Sequence, residues 1–480
     1  YLSIMVTGRT IIKRIESVPG SSLTSDHQTG WLTTGNDDVN RLISNTVWSQ
    51  RSNYLSVPTD CPQRNERLGW AADTQVFAET GSFFANTAAF LRKWMRDMRD
   101  CQTASGAFPA FAPEGQYDNE RMHFGWADAG IIVPWTVWKQ FGDTSIISEN
   151  WDAMERFIAH VTQTRYRFEL LVDENKGFQY ADWLSFEPLE SWSKAAYVPG
   201  IEPRSPLPEA LDYWNFLSAC YWAIDAGMMS DMATAIGKDA SIYEHMQEEA
   251  RAYIRDSFMT SEGVFKTRLL NTMQTPALFA LKAGVVEGDA RSAMVTRLRR
   301  NFEEHGNCLQ TGFLGTSILM PVLSENGMND IAYELLFQRR NPSWMYSIDN
   351  GATTIWERWN SYTHDNGIAK GSMTSFNHYA YGCVCEWLWE NVAGISCDAS
   401  APGFKTVIMK PVPDKRLGWV DAKYQSAAGM IKSSWKYHGD TWIWNISIPE
   451  GCSALVTLPG ETDAVRYETG DYEFISCGEI

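Results

Sequence analysis

The feature that most restricts the fold of this chain is a change of hydrophobic period near residue 400. Upstream, apolar residues recur at helical spacing: Val39, Leu42, Ile43 and Val47, then Leu91, Trp94, Met95 and Met98, then Trp151, Met154, Ile158 and Val161, then Ile242, Met246 and Tyr253. Asp37 and Asp38 stand where the first of these helices needs a cap. A turn signature separates the helices at Phe141-Gly142-Asp143, Ile236 to Asp239, Gly284 to Asp289 and Asn326 to Asp330, each with a glycine to end one helix and an acid to cap the next. The rhythm predicts antiparallel helical pairs over residues 34–395. They are too many for a four-helix bundle, and a closed double ring would bury them all. Downstream the period becomes two, in Ile431, Ser433, Trp435 and Tyr437, then Trp442, Trp444, Ile446 and Ile448, with His438-Gly439-Asp440 as the turn. Residues 396–480 therefore read as a small antiparallel β domain. Residues 1–33 read as extended, with a strand over Tyr1 to Thr7, and look like the remnant or linker of an upstream β domain.

The connections between helices fall into two kinds. The Gly-Asp turns are tight; the others are long and rich in Gly, Pro and aromatics: Ser105 to Trp126, Gly177 to Pro208, Gln310 to Pro321 and Ser343 to Asn377. Long loops on one side of a rigid scaffold are where function usually sits. A net charge of −17 over 480 residues argues against nucleic acid or an anionic membrane as partner. No apolar run reaches membrane-spanning length. Nine scattered cysteines with no CxxC pair read as free thiols, which favours a reducing, cytoplasmic setting. The sequence is silent on oligomeric state.

Asp60 to Asp73, DCPQRNERLGWAAD, concentrates three acids (Asp60, Glu66, Asp73), two arginines (Arg64, Arg67) and Trp70 in one of the long connections. If the chain is already helical at Glu66, then Glu66, Trp70 and Asp73 share a face. A second acid, Glu357, lies between Trp356 and Arg358 in another long aromatic loop. Each acid alone reads as well as a salt-bridged structural residue. Two such acids in two such loops suit acetal cleavage, in which one carboxyl protonates the leaving oxygen and another activates water or attacks carbon. Trp126 and Asp128 in GWADA, Asp182 and Trp183 in YADWL, and His378 beside Tyr379 and Tyr381 are further candidates, since indole faces stack on sugars while polar tips meet hydroxyls. No nucleotide-binding fingerprint and no GxSxG occurs.

DCPQRNERLGWAAD, GWADAG, YADWL, TGFLGT, NGATTIWERW and SFNHYAYG, in this order, resemble the inverting α-L-rhamnosidases of glycoside hydrolase family 78. The resemblance runs from about residue 30 to 395 and on into the β domain. It implies a mainly α fold, an (α/α)6 toroid with a C-terminal antiparallel β-sandwich, and β domains upstream. It puts the general acid on Glu66, the general base on Glu357, sugar-binding acids on Asp60 and Asp73, stacking tryptophans on Trp70, Trp126 and Trp183, and a sugar-contacting histidine on His378; Arg64 and Trp356 are further substrate-binding candidates. The chain departs from the family pattern at Asn65, Ala71-Ala72, Asp349 and Asn360, none of them a catalytic carboxylate.

The implied partner is a rhamnose-containing glycoside or oligosaccharide, hydrolysed with no cofactor and no catalytic metal. Glu66 and Glu357 are expected to face each other about 6.5–9.5 Å apart, the spacing of inverting enzymes. Both arginines of the acid loop are expected to turn to Asp60 or Asp73, leaving Glu66 its proton, while Arg358 keeps Glu357 ionised. The rival readings are another inverting glycosidase, for a fucoside or glucoside, on the same toroid, and a carbohydrate-binding protein with a dead site.

Overall fold

The computed structural model describes residues 4–16, 20–114, 123–165, 179–185, 208–369 and 374–477. Parts of three long connections, at 115–122, 186–207 and 370–373, and the first three residues of the expected N-terminal strand lie outside them. Residues 4–7 have no regular structure.

Two kinds of helix alternate. α1 (Asp37–Asn53), α3 (Ala88–Asp100), α5 (Ser145–Arg165), α7 (Ser241–Phe258), α9 (Gly288–Glu304) and α11 (Asn329–Phe337) interleave with α2 (Ala71–Phe84), α4 (Ala129–Phe141), α6 (Pro208–Ala235), α8 (Gln274–Lys282), α10 (Phe313–Glu325) and α12 (Val384–Trp387). α12 is continued by a 3-10 turn before it and a π turn after it. In α3 only Leu91, Trp94, Met95 and Met98 are buried, a single stripe that calls for one apolar neighbour on one side. In α2 every residue but Glu79 is buried, so this helix must be surrounded. The contacts follow: α2 touches α4, α4 touches α6, and so on through α8, α10 and α12 back to α2, which closes an inner ring, while the striped helices pack outside. The glycines of the tight turns, Gly142, Gly237, Gly284 and Gly327, all take φ between 66° and 71°, the left-handed conformation that lets a helix stop and the chain reverse.

Two local expectations need correction. The cap of α1 is Asn36, whose side chain accepts from the Asp38 and Val39 amides; Asp37 and Asp38 occupy the first turn. The inward face of α7 is Tyr243, Ala250, Ile254 and Phe258, and Ile242 is exposed, because a helix with apolar residues on two faces fixes its period but not its phase.

The C-terminal strands are β2 (Ser396–Cys397), β3 (Thr406–Met409), β4 (Trp419–Ser426), β5 (Gly429–His438), β6 (Thr441–Val456) and β7 (Val465–Cys477). They hydrogen-bond as one sheet in the order β1-β4-β5-β6-β3-β2, where β1 is Gly30–Thr34, an edge strand supplied from before the helical domain. The segment before residue 34 is thus built into this sheet at its end. β5 and β3 share one edge of β6 in succession, on either side of an irregularity between Ile448 and Ser453, and β7 runs along the other. All pairs are antiparallel except β6 with β3.

The sheet sits against the C-terminal ends of the inner helices. Phe83 of α2 packs on Tyr424 of β4 with ring centroids 5.1 Å apart, Trp435 Nε1 donates to Val392 O at 2.8 Å, and a Cβ at Gly30 would stand 2.3 Å from Phe83 O. With the C-terminal ends so covered, the N-terminal ends of α2 and α10 face the long loops. Among the described residues no helix is long and apolar enough to cross a membrane. Eight cysteines among the described residues are free thiols, all buried except the half-buried Cys101.

Trp389→Ala is expected to lower the unfolding free energy by about 3–5 kcal/mol, the usual cost of emptying a large aromatic site, as read by urea denaturation. A loss below about 1 kcal/mol would mean that Trp389, packed between Phe83 and Tyr424 of β4, does not hold the two parts together.

Candidate active site

The acid loop is fastened at both ends before α2 begins. The Asp60 amide donates to Leu68 O, and the Leu68 amide donates to Asp60 Oδ1, each at 2.9 Å. Gly69 then passes so close to a neighbouring strand-like segment that a Cβ would stand 2.2 Å from Ala112 O, and Trp70 caps the helix that starts at Ala71. Glu66 therefore lies in the loop and not on the helix with Trp70 and Asp73. The loop nevertheless brings it back to Trp70, whose Nε1 donates to Glu66 Oε1 at 2.7 Å.

The Glu357 loop is held by a different device. The Glu357 amide donates to Ser375 O and the Ser375 amide donates to Glu357 Oε2, both at 2.9 Å. Ser375 Oγ accepts from Gln63 Nε2 at 2.6 Å, which ties the Glu357 loop to the Asp60–Asp73 loop. Glu357 is only 2% exposed.

Arg64 completes the connection. Its Nη2 lies 2.5 Å from Glu66 Oε2 and 3.6 Å from Asp60 Oδ2, and its Nη1 lies 3.1 Å from Glu357 Oε2. This overturns the expected division of charge: the arginine of the acid loop sits on Glu66 itself and also supplies a cation to Glu357. Arg67 is exposed, at φ 52°, and donates to Pro62 O.

These residues share one cavity with Trp70, Asp73, Trp126, Tyr180, Trp183, Phe313 and His378. His378 Nε2 and Asp73 Oδ1 are 2.6 Å apart and nearly inaccessible. Burial pulls the imidazole down, but the Asp73 carboxylate, with Glu357 and Asp60 beyond it, more than reverses this and raises it to about 9. Burial pushes Asp60 up to about 7; His378 opposes, and Glu66 and Asp73 add to the rise. Asp60 Oδ2 and His378 Nδ1 are buried with no hydrogen-bond partner among the described residues. Asp60, Cys61 and Glu66 could offer a metal three ligand atoms within 4.8 Å of one another, but the Arg64 cation already lies against the two carboxylates.

Tyr180 and Phe313 are absent from the sequence-derived candidates. Tyr180 is the hub of the aromatic wall, 5.4 Å from Trp70, 4.9 Å from Trp126 and 5.5 Å from Trp183 by ring centroids. Phe313, the first residue of α10, lies 5.6 Å from His378. Both stand inside motifs already noted, YADWL and TGFLGT, and the signal was their place there. Trp356 does not line the cavity. It lies on a separate groove with Tyr362, Ile368 and Phe376, its ring 5.2 Å from that of Phe376, while Glu357 next to it lines the cavity. Asp182 is structural: it accepts from Thr275 Oγ1 at 2.5 Å and from the Gly312 and Gly315 amides at 2.8 Å, at the start of α10. Asp128 accepts from the Gly125 amide at 2.5 Å, at the start of α4.

Residues 27–392 match the family described as bacterial alpha-L-rhamnosidase 6 hairpin glycosidase domain, and residues 394–473 match the bacterial alpha-L-rhamnosidase C-terminal domain. Curated alpha-L-rhamnosidases of Streptomyces avermitilis and Formosa agariphila are 35% and 32% identical to 90% of this chain, over 39% and 44% of their own lengths. The chain therefore spans less than half the length of these curated relatives. The solved structure of the Streptomyces avermitilis enzyme, complexed with L-rhamnose, superposes at a TM-score of 0.81 with 32% identity, covering 94% of this chain and 42% of that one. The Aspergillus terreus enzyme superposes at 0.82 with 29% identity, covering 94% and 50%.

The His378–Asp73 pair makes stability depend on pH. A histidine raised from 6.5 to about 9 contributes its full stabilisation below about 6.5 and loses it as pH rises through about 9. The unfolding free energy should fall by about 1–3 kcal/mol over this window, and His378→Gln should flatten the fall. Asp60, ionising less readily in the folded state, costs stability in the lower window from 3.8 to about 7 and leaves the His378 window distinct at its upper end. Urea titrations at pH 6, 7.5 and 9 check this.

Proposed function

The chain belongs to the bacterial α-L-rhamnosidase six-hairpin glycosidase family, and on that premise we propose that it hydrolyses terminal α-L-rhamnosides with inversion, Glu66 serving as general acid and Glu357 as general base. The observation that carries this reading is the single guanidinium in contact with both carboxylates inside one cavity. Arg64 reaches Glu66 at 2.5 Å and Glu357 at 3.1 Å, and its fork is roughly 2.3 Å wide, so the facing oxygens lie within about 8 Å of each other. That bound brings the two carboxyls to one glycosidic bond and admits both the inverting and the shorter retaining spacing, so inversion is taken from the family resemblance and the first-formed anomer decides it.

In this mechanism Glu66 gives its proton to the glycosidic oxygen as the C1–O bond breaks, and the bond's electron pair leaves with the aglycone alcohol. Water attacks C1 from the opposite face and gives a proton to Glu357. The products are free rhamnose and the alcohol, and solvent returns the proton from Glu357 to Glu66. Ser375 and Arg64 both contact Glu357 Oε2, and Oε1 has no protein donor among the described residues, which leaves it to take the proton from water. The aromatic wall supplies faces for the sugar, and Phe313 offers an apolar patch suited to the C5 methyl that distinguishes rhamnose from glucose. Asp60 Oδ2 and His378 Nδ1 are unsatisfied atoms available to hydroxyls.

Glu66→Ala is expected to lower turnover roughly 10²–10⁴-fold on alkyl rhamnosides and much less on p-nitrophenyl rhamnoside, whose leaving group needs little protonation. An equal loss on both substrates would remove Glu66 from the acid role. Proton NMR of the first-formed sugar should show the β anomer; the α anomer would make Glu357 a nucleophile or a bystander. A panel of aryl rhamnosides, fucosides, glucosides and mannosides separates the sugar preference, and no turnover of any of them would favour a binding protein.

A further inference from the structure

The C-terminal sheet has an outer face that the catalytic reading does not use. β4, β5 and β6 bury Val420, Ala422, Ile431, Trp435, Trp442 and Trp444 on the side of the helical ring, so the residues between them point the other way. Two tryptophans stand open on that outer side, Trp31 of β1 at 43% exposure and Trp419 of β4 at 44%. Trp31 lies in register with Lys423, and Trp419 is four residues along the same strand, so the two indoles share one face about 14 Å apart. The Trp419 ring is laid against backbone: a Cβ at Gly35 would stand 2.9 Å from its Cδ1 and Nε1.

Beside the indoles runs a trough of about 430 Å³, lined by Asp421, Lys423, Lys432, Asn445, Asp471 and Glu473 among others. Its groups are not all paired across the strands. Lys423 stands directly opposite Lys432, a like-charge pairing that costs stability in a sheet that only meets water. Lys423 is held by Asp421 at 3.1 Å, and Ser447 Oγ donates to Asp471 Oδ1 at 2.5 Å. The side chains of Lys432, Asn445 and Glu473 have no hydrogen-bond or ion-pair partner among the described residues. Three acids meet two lysines in the trough, and Lys436, in register with Trp419, brings a third cation, so the face carries no net charge.

We infer that this outer face is a carbohydrate-binding surface for a neutral oligosaccharide, separate from the cavity. Indole faces pack on the C–H faces of a sugar ring, and an unpaired ammonium, amide and carboxylate donate to and accept from its hydroxyls. A polyanion would meet three carboxylates there, and an apolar partner would bury Lys432 and Glu473 unpaired. The choice of carbohydrate rests on the proposed activity; the surface itself uses neither Glu66 nor Glu357. The sheet covers the C-terminal ends of the inner helices and the cavity lies at their N-terminal ends. α2 alone is 14 residues long, so about 20 Å of helix separates the two. A short oligosaccharide held on the sheet therefore leaves the cavity free, and a longer glycan held there keeps its other ends at high local concentration near it.

The test is calorimetric titration of the whole chain with four neutral tetrasaccharides (an α-linked tetrarhamnoside, cellotetraose, xylotetraose and mannotetraose) and with tetragalacturonate as the charged control. Each titration is made in saturating L-rhamnose to occupy the cavity. At least one neutral tetrasaccharide should bind. Trp31→Ala combined with Trp419→Ala should weaken it about ten-fold or more, and Asn445→Ala about three-fold. Both variants should turn over p-nitrophenyl rhamnoside with unchanged kcat and KM, which also shows that they are folded.

No binding of any neutral tetrasaccharide overturns the inference, and so does binding that the paired tryptophan variant leaves intact. Tighter binding of tetragalacturonate than of every neutral sugar overturns it as well. A dimer in sedimentation that the paired variant dissolves would make a second copy of this chain the occupant, with the same result. Failure of the proposed activity looks different: aryl rhamnosides would then go untouched while the tetrasaccharide still bound through Trp31 and Trp419, and the inference would stand.

Discussion

One guanidinium against three carboxylates is the interaction on which the site depends. Asp60, Glu66 and Glu357 converge on Arg64, and Asp73 is paired with His378. Four acids meet two cations in a space largely closed to water. Like charges so placed cannot all ionise freely, and Asp60 bears it: burial pushes it up to about 7, with Glu66 and Asp73 adding to the rise. Removing Arg64 would leave this excess of negative charge without its nearest counter-charge. The same contact joins loops almost 300 residues apart, so the charge balance and the convergence of the two loops are one constraint.

The helical ring exists to make that convergence possible. Inner helices such as α2 are buried on every side, so the fold surrounds them, and closing the ring sets α2, α10 and the approach to α12 around one axis. The β sheet covers the C-terminal ends through Tyr424, packed on Phe83 and Trp389, and Trp435, bonded to Val392 O. The N-terminal ends are left to the long loops. Trp70 and Phe313, at the first turns of α2 and α10, thereby gain positions fixed by helices while still facing a cavity. A site built on loops gains the precision of the scaffold beneath it.

Much of this was legible in the chain. Period told helix from strand, because it is a local property: Leu91, Trp94, Met95 and Met98 are all fully buried, as are Trp442 and Trp444 on the strand side. Motif residues marked the cavity for the same reason, since Asp60, Glu66, Trp70 and Asp73 stand within one short loop and helix start. What was missed has a common cause. Ile242 against Tyr243, and Trp356 against Glu357, are choices between adjacent residues of suitable chemistry, and a pattern that fixes a period leaves the phase to the neighbour that packs on it. Tyr180 joined the wall only because Trp70, Trp126 and Trp183 come from three separate connections to meet it.

The sequence by itself determined the helical and β segments, the family pattern and which acids could carry chemistry, for each of these is written in residue types at short spacing. Tertiary structure alone decided where the cations went. Arg64 and Arg67 were expected at Asp60 or Asp73 and Arg358 at Glu357; instead Arg64 lies between Glu66 and Glu357, and Arg67 is turned to solvent. The reason is physical: an ion pair forms where two chains are brought within a few ångströms, and nothing in the spacing of Arg64 and Glu357 along the chain records that the ring has closed between them.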